Sequence, residues 1–468
     1  MAEQFDSIVI GAGPAGYVAA IRLAQLGQKV AVVEAERVGG VCLNRGCIPV
    51  KALLHAASIV RHANEARTMG IIFNPPQLDP VSIGSWKNRI IDRLVRGIEI
   101  LFKNNGVALF RGQAKLLAPN RVEVTGPDSI TDLTAERVII ATGSRPAVLP
   151  GLEPDHKQIL DSNSALDLVQ LPGTMAIIGA GAIGLEFATI FQRLGIKVTV
   201  LEICPNILPG VDPDLANLLQ RQMEREGIQF QLGVSGINRL HSDTGLLKIS
   251  VTGEKPVELE VEKVLVAVGR LPLTAGLGLE QLGVETDGKG FIKTRENYET
   301  TVPGVYAIGD VRGGPLLAHK AMYEGINLAE TLLGASKPLP GENKAVPWVV
   351  YTDPEIASVG LNESRALAEG CPVRISRVPA TAIGRSLTLA RSEGMCKIVA
   401  DAQTGKILGV GIVAPQADVL IAEATCAVEL GLTAEQLGEV IHPHPTMSEI
   451  LFEAAHAVLG SAVHILNR

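Results

Sequence analysis

A chain of 468 residues with 47% hydrophobic side chains is long enough for about three domains, each with its own core. Its net charge of −7 and 3% aromatic content count against nucleic-acid binding, which needs basic surface and often stacking rings. Six scattered cysteines are no secreted disulfide framework, the acidic Met1-Ala2-Glu3-Gln4-Phe5-Asp6 reads as no signal peptide, and no apolar run reaches the roughly 18–20 residues that cross a bilayer. A cytoplasmic protein acting on small molecules, away from membranes, is the expectation.

In chain order, Ser7-Ile8-Val9-Ile10 is a short buried-strand run, followed by Gly11-Ala12-Gly13-Pro14-Ala15-Gly16 and a helix-like Tyr17 to Gln25. A second apolar run, Lys29 to Val33, ends in Glu34. Strand, G-x-G-x-x-G, helix, strand and acid is the order of a dinucleotide-binding βαβ unit. Glycines let backbone N–H groups approach a pyrophosphate at a helix N-terminus, and the acid accepts hydrogen bonds from ribose hydroxyls.

The segment Gly39-Gly40-Val41-Cys42-Leu43-Asn44-Arg45-Gly46-Cys47-Ile48-Pro49-Val50-Lys51 follows. Its C-x4-C spacing is not the C-x2-C of most zinc sites, no second Cys/His cluster completes four ligands, and no metal is expected. On a regular helix the two Cα atoms would stand roughly 8–9 Å apart, whereas a disulfide tolerates at most about 6.8 Å. A bridge therefore requires a distorted helical turn, consistent with Gly46 inside it and Pro49 just after. The competing reading is two unlinked thiols, one of them core. Placement just after Glu34, on the segment leaving the first nucleotide unit, favours a redox disulfide beside the nucleotide that unit binds.

Arg137 to Pro146 is an apolar strand broken by Gly143 and Pro146, and Lys263 to Pro272 repeats that pattern around Gly269. Between them the first motif recurs as Met175 to Gly184, with Gly179, Gly181 and Gly184 as its glycines and Lys197 to Glu202 closing the unit. The same number of residues separates first glycine from acid in both copies, so two dinucleotide sites are expected, one for FAD and one for a nicotinamide dinucleotide. Ile203, Cys204, Pro205 and Asn206 offer no arginine for a 2′-phosphate, and Glu202 would repel one, which favours NAD over NADP.

Further on, Thr300 to Asp310 puts a carboxylate at a strand's end, where it either meets a ligand or caps the helix from Leu316 onward. Beyond Ala345, Trp348-Val349-Val350-Tyr351 and Leu408 to Val413 read as strands of a last α+β domain. Near the C-terminus stands His442-Pro443-His444-Pro445-Thr446-Met447-Ser448-Glu449, where prolines restrict the backbone around His444. Glu449 has two readings, a carboxylate orienting His444 or the acid of a T-x-x-E capping box opening a helix over Ile450 to Leu459. His442 and His319 read as structural.

Over essentially its full length the chain resembles the flavin disulfide reductases, class I pyridine nucleotide-disulfide oxidoreductases. The Gly39–Lys51 segment, both glycine motifs, Ile308-Gly309-Asp310, Leu317-Ala318-His319-Lys320 and the His442–Glu449 stretch carry the likeness. Val50, where the family often has Ser or Thr, and Pro443, where it has a small residue, are departures that remove no reacting group. The resemblance implies an α/β fold with two Rossmann-like dinucleotide-binding domains, for FAD and NAD, and a C-terminal α+β dimerisation domain. The expected division is 1–148 for FAD, 149–270 for NAD, 271–343 as a central domain completing the FAD site, and 344–468 for the interface.

It further implies that protein-bound dihydrolipoyl groups are oxidised and NAD+ is reduced. Cys42 would be the interchange thiol, Cys47 the charge-transfer thiolate against the flavin, His444 the base and Glu449 its partner. Lys51, paired with Glu186, would lie near the flavin's reactive nitrogen. Gly11, Gly13, Gly16, Glu34, Ala114, Thr142, Gly143, Asp310 and Ala318 map to FAD; Gly179, Gly181, Gly184, Glu202, Val234 and Gly269 map to NAD. The base would come from the other subunit of a homodimer, and the macromolecular partners would be a lipoyl domain and the E2 acyltransferase of a 2-oxo-acid dehydrogenase complex. The alternatives within the family are reduction of glutathione disulfide, which normally goes with NADPH and arginines near the second acid, and of mercuric ion, which goes with a C-terminal cysteine pair absent from Gly460 to Arg468.

Overall fold

The computed structural model describes residues 3–240, 243, 245–254, 256–334 and 345–467, so the expected boundary at 343/344 lies outside the described residues. The chain opens with β1 (Glu3–Ile10), α1 (Pro14–Gln25), β2 (Val30–Glu34), α2 (Gly40–Arg45) and α3 (Cys47–Glu65). β1 pairs in parallel with β2 and with the strand Ile130–Ile140, and β2 pairs in parallel with Ala108–Arg111. Ile8, Val9, Ile10, Val32 and Val33 are buried, the continuous apolar run of a sheet covered on both faces. Gln113–Ala118 and Arg121–Thr125 extend the same sheet in antiparallel fashion.

That sheet is finished by residues from far along the chain. Val305–Ala307 pairs in parallel with Ile130–Ile140, and the helix Ala318–Leu332 packs against α1. The helices approach closely because Gly325 meets the Ala15–Ala19 face, where an added Cβ would stand 2.7 Å from the Ala15 carbonyl oxygen.

The second unit repeats the design with strands ordered Gln229–Leu232, Lys197–Glu202, Thr174–Ile178, Lys263–Val266 and Ile159–Leu160, all parallel. The two units are joined by the chain's exit and return, Ser144–Pro146 and Arg270–Pro272, which pair as a short antiparallel ladder. The last domain is a five-stranded antiparallel sheet, Trp348–Val350, Glu355–Gly360, Ile407–Ala414, Met395–Asp401 and Val373–Pro379 in spatial order, with the helices Ala417–Leu430 and Glu449–Val458 packed on it. This is the expected α/β architecture with an α+β end.

Two ionic clusters fix the parts to one another. The buried Lys397 ammonium meets Asp212 at 2.9 Å, Asp214 at 3.0 Å and Glu363, joining the last domain to the second unit. Asp353 receives Arg61 at 2.6 Å, Arg193 at 2.9 Å and Arg391 at 3.2 Å, which anchors the far end of α3 to both. Buried charges are tolerated only when paired in this way. The helix starting at Cys47 is thereby tied at its far end to both other parts.

Candidate active site

The expected distortion lies between Cys42 and Cys47. α2 stops at Arg45 and α3 restarts at Cys47, with Gly46 between them at φ −138° and ψ −114°. A Cβ on Gly46 would sit 3.1 Å from the Val41 carbonyl oxygen and 3.2 Å from the Cys42 Cα, so the turn folds back on itself where only glycine fits easily. The break sets the two thiols side by side, each the other's hydrogen-bond partner.

The two thiols are electrostatically unequal. The hydrogen bond between them, followed by burial, pushes Cys42 far above the ordinary thiol range. The same bond, reinforced by the Lys51 ammonium, brings Cys47 down to about 7 against the upward push of burial.

Lys51 stands one helical turn beyond Cys47 and donates to both Glu186 oxygens at 2.8 Å. Glu186 is buried on the helix Ala182–Arg193 of the second unit and also accepts the Tyr351 N–H at 3.1 Å, while the Lys51 Nζ lies 4.4 Å above the Tyr351 ring. Three parts of the chain therefore meet at one lysine. Tyr351 and Tyr17, whose phenol is raised by burial and by neighbouring Cys42, were not assigned roles from sequence. Tyr17 sits on the first glycine unit's own helix, where spacing could have marked it.

The two glycine loops match in detail. Gly11 (φ +99°) and Gly179 (φ +108°) lie against the opposite strand, where an added Cβ would come within 2.5 Å of the Ala141 oxygen and 2.4 Å of the Ala267 oxygen. Gly13 and Gly181 cap their helices in extended conformation without a side-chain cap. A Cβ on Gly181 would meet nothing within 4 Å, and one on Gly13 only the Gly40 Cα at 3.8 Å. Glu34 accepts the Ala12 N–H at 2.7 Å and the Glu36 N–H at 2.8 Å; Glu202 accepts those of Ala180 at 2.7 Å and Cys204 at 2.9 Å. Each acid therefore braces its own glycine loop, with lone pairs left over for hydroxyl groups.

Among the remaining expected residues, Val234 donates its N–H to the Glu202 carbonyl at 3.0 Å, placing it beside the second acid. Gly16 and Gly184 pack on the oxygens of Gly11 and Gly179, where an added Cβ would fall within 1.9 Å. Thr142 donates to the Leu273 carbonyl at 2.6 Å, and Gly143 accepts the Leu273 N–H at 3.0 Å. Gly269 takes φ +116° just before the return strand. Ala114 lies on the antiparallel extension of the first sheet, opposite Val124.

Asp310 is no helix cap: the helix Ala318–Leu332 begins after Leu317 without a side-chain cap, and Asp310 instead accepts the Ser144 hydroxyl at 2.6 Å.

At the other end of the chain the two readings of Glu449 coexist. One oxygen holds the His444 Nδ1 at 2.8 Å and the other accepts the Thr446 N–H at 2.9 Å. Only half a capping box forms, because the Thr446 hydroxyl donates to the Pro443 carbonyl and the helix starts one residue early, at Glu449. Against the upward push of burial, these hydrogen bonds hold Glu449 below its ordinary value. His444 is 76% exposed, whereas His442 is buried between Glu423 and the Val440 carbonyl, and His319 bonds the Pro347 carbonyl.

The family model "Pyridine nucleotide-disulphide oxidoreductase" matches residues 5–325, and the dimerisation domain of the same family matches 346–455. The chain belongs to this family. A dihydrolipoyl dehydrogenase of Thermus scotoductus is 48% identical over the whole of both chains, and that of Geobacillus stearothermophilus is 40% identical over 100% of this chain and 99% of its own. Among solved structures, LpdA from Mycobacterium tuberculosis superposes with a TM-score of 0.89 at 27% identity, covering 96% of this chain and 99% of its own. The HOCl-induced flavoprotein disulfide reductase RclA of Escherichia coli, as its Cu(II) complex, gives 0.86 at 28% identity over 97% and 99%.

The cofactors of this pyridine nucleotide-disulphide oxidoreductase are FAD and NAD, and the geometry fits them. Open space in front of Gly13 and Gly181, with helix N-termini behind, is what two pyrophosphates require. Gly179→Ala is expected to weaken NAD binding at least about tenfold, because the new Cβ displaces the loop, while the purified protein stays yellow. Loss of flavin in that variant, or unchanged NAD affinity by titration, would contradict the division of labour between the loops.

Proposed function

We propose that this oxidoreductase oxidises protein-bound dihydrolipoyl groups and reduces NAD+, with the balance R(SH)2 + NAD+ → RS2 + NADH + H+. The observation that carries it is the cysteine pair folded together at the Gly46 break beside the Lys51–Glu186 ion pair; the choice of dithiol is supported by full-length relatives that bear the name dihydrolipoyl dehydrogenase. In the oxidised enzyme Cys42 and Cys47 are joined. A substrate thiolate attacks the Cys42 sulfur, the Cys42–Cys47 bond breaks, and Cys47 leaves as thiolate, favoured by its depressed ionisation. The second substrate thiol, deprotonated by His444, attacks its neighbour in the mixed disulfide, releasing lipoyl disulfide and Cys42. Bound FAD supplies the passage of two electrons from the dithiol to NAD+.

His444 receives the proton at Nε2, since Glu449 holds Nδ1. The base serves the thiols of a second subunit: His444 is 76% exposed, and Ile441, three residues before it and 95% exposed, adds apolar surface for a homodimer partner. The division into 1–148, 149–270, 271–343 and 344–468 belongs to this reading, supported by the way Val305–Ala307 completes the first sheet. So do a lipoyl domain and an E2 acyltransferase as partners and the cytoplasm as the compartment. Among the described residues no helix is long and apolar enough to cross a membrane.

The deciding assay is oxidation of dihydrolipoamide with NAD+. Turnover confined to NADPH and glutathione disulfide would replace this reading with the glutathione alternative. Replacing Lys51 by glutamine tests the electrostatics separately. It removes a cation and strands the buried Glu186, so the Cys47 ionisation should rise from about 7 by at least about one pH unit. Ultraviolet thiolate absorbance of the flavin-free protein reads it; an unchanged or lower value would remove Lys51 from the account.

A further inference from the structure

The ladder joining the two nucleotide units carries a chain of polar contacts that the sequence does not announce. Arg270 donates from Nε to the Ser144 Oγ at 2.7 Å and from Nη2 to the Ser144 carbonyl at 2.6 Å. Ser144 is 2% exposed, and its hydroxyl lies 2.6 Å from the Asp310 Oδ2. The directions of these bonds are forced. Guanidinium can only donate and carboxylate only accept, so the one hydroxyl hydrogen goes to Asp310 while Arg270 fills a lone pair behind it. Cation, hydroxyl and carboxylate form one polarised line, which binds each member more firmly than isolated bonds would.

Its placement gives the line a use. Ser144 begins the strand by which the chain leaves the first unit, Arg270 begins the one by which it returns from the second, and the register pairs Arg270 with Pro146 and Pro272 with Ser144. Asp310 stands on the single turn Gly309–Arg312, packed against α1, where an added Cβ on Gly309 would come 3.0 Å from the Ala15 Cβ. We propose that Arg270, acting through Ser144, is a positioning residue for FAD: it fixes one oxygen of Asp310 and the carboxylate's orientation, leaving the other oxygen for a flavin-chain hydroxyl. A residue at the end of the NAD unit thereby governs affinity for the other cofactor. The inference rests on the reading that Asp310 meets FAD, not on which dithiol is oxidised.

The test uses full-length protein stripped of flavin and titrated with FAD, following the flavin absorbance and its fluorescence. Arg270→Gln and Ser144→Ala should each raise the Kd for FAD about tenfold, and the double variant should fall close to either single one, because breaking one bond of the line already frees Asp310. NADH affinity should stay within about twofold, which a general loosening of the interdomain ladder would not allow. Unchanged FAD affinity, additive effects, or a larger loss for NADH than for FAD would each overturn the proposal. Should Ser144→Ala fail to fold, Arg270→Gln with Asp310→Asn closes the same cycle under the same criteria. If the parent protein binds FAD but does not oxidise dihydrolipoamide, the substrate reading falls and this one is still judged by its titrations.

Discussion

Cys42→Ser is expected to lower turnover of dihydrolipoamide by at least about a thousandfold, the scale for losing a covalent nucleophile, and yet to retain the long-wavelength perturbation of flavin absorbance. The reason is the inequality of the two thiols: the hydrogen bond between them raises Cys42 and lowers Cys47, and the Lys51 ammonium lowers Cys47 further. A serine hydroxyl at position 42 can still donate to Cys47, so the thiolate survives while the sulfur needed for interchange is gone. Cys47→Ser should do the reverse and abolish the perturbation. Spectra of both purified variants decide it: were the perturbation kept in Cys47→Ser and lost in Cys42→Ser, the roles of the two sulfurs would be exchanged.

Mixing two dead variants should restore activity. His444→Gln loses the base and is expected to slow turnover by about a hundred- to ten-thousandfold. Co-refolded with Cys42→Ser, it forms hybrid dimers in which one site has both faults and the other has none. Random assortment then gives about a quarter of wild-type turnover if the base works across the subunit boundary. If it works within its own chain, the mixture stays as inactive as its components. Size-exclusion chromatography with differently tagged subunits confirms that hybrids form, so an inactive mixture would be decisive against the shared site.

What the sequence reveals and what it hides divide along range. Both glycine loops were readable because the pattern is local: a strand, a turn that needs positive φ at Gly11 and Gly179, a helix, and an acid at the same spacing. The break at Gly46 was readable for the same reason, since helix geometry alone forbids two cysteines five apart from meeting. Glu449 was half readable. Its position before a helix suggests a cap and its distance from His444 suggests a partner, and in the fold the carboxylate uses one oxygen for each.

What lay outside reach were contacts between segments far apart in the chain. Tyr351 beside Lys51 and Glu186 is one, Val305–Ala307 beside Ile130–Ile140 another, and Arg270 on Ser144 and Asp310 a third. None has a periodicity or spacing of its own. The amino-acid order by itself determined the cysteine pair, the two glycine loops and the helix break between the thiols, because each is a matter of residue type and nearest-neighbour backbone geometry. Only the tertiary structure decided what braces each acid, and that Asp310 accepts from a serine and does not cap a helix. Those outcomes depend on burial and on through-space partners, which packing supplies and sequence spacing does not.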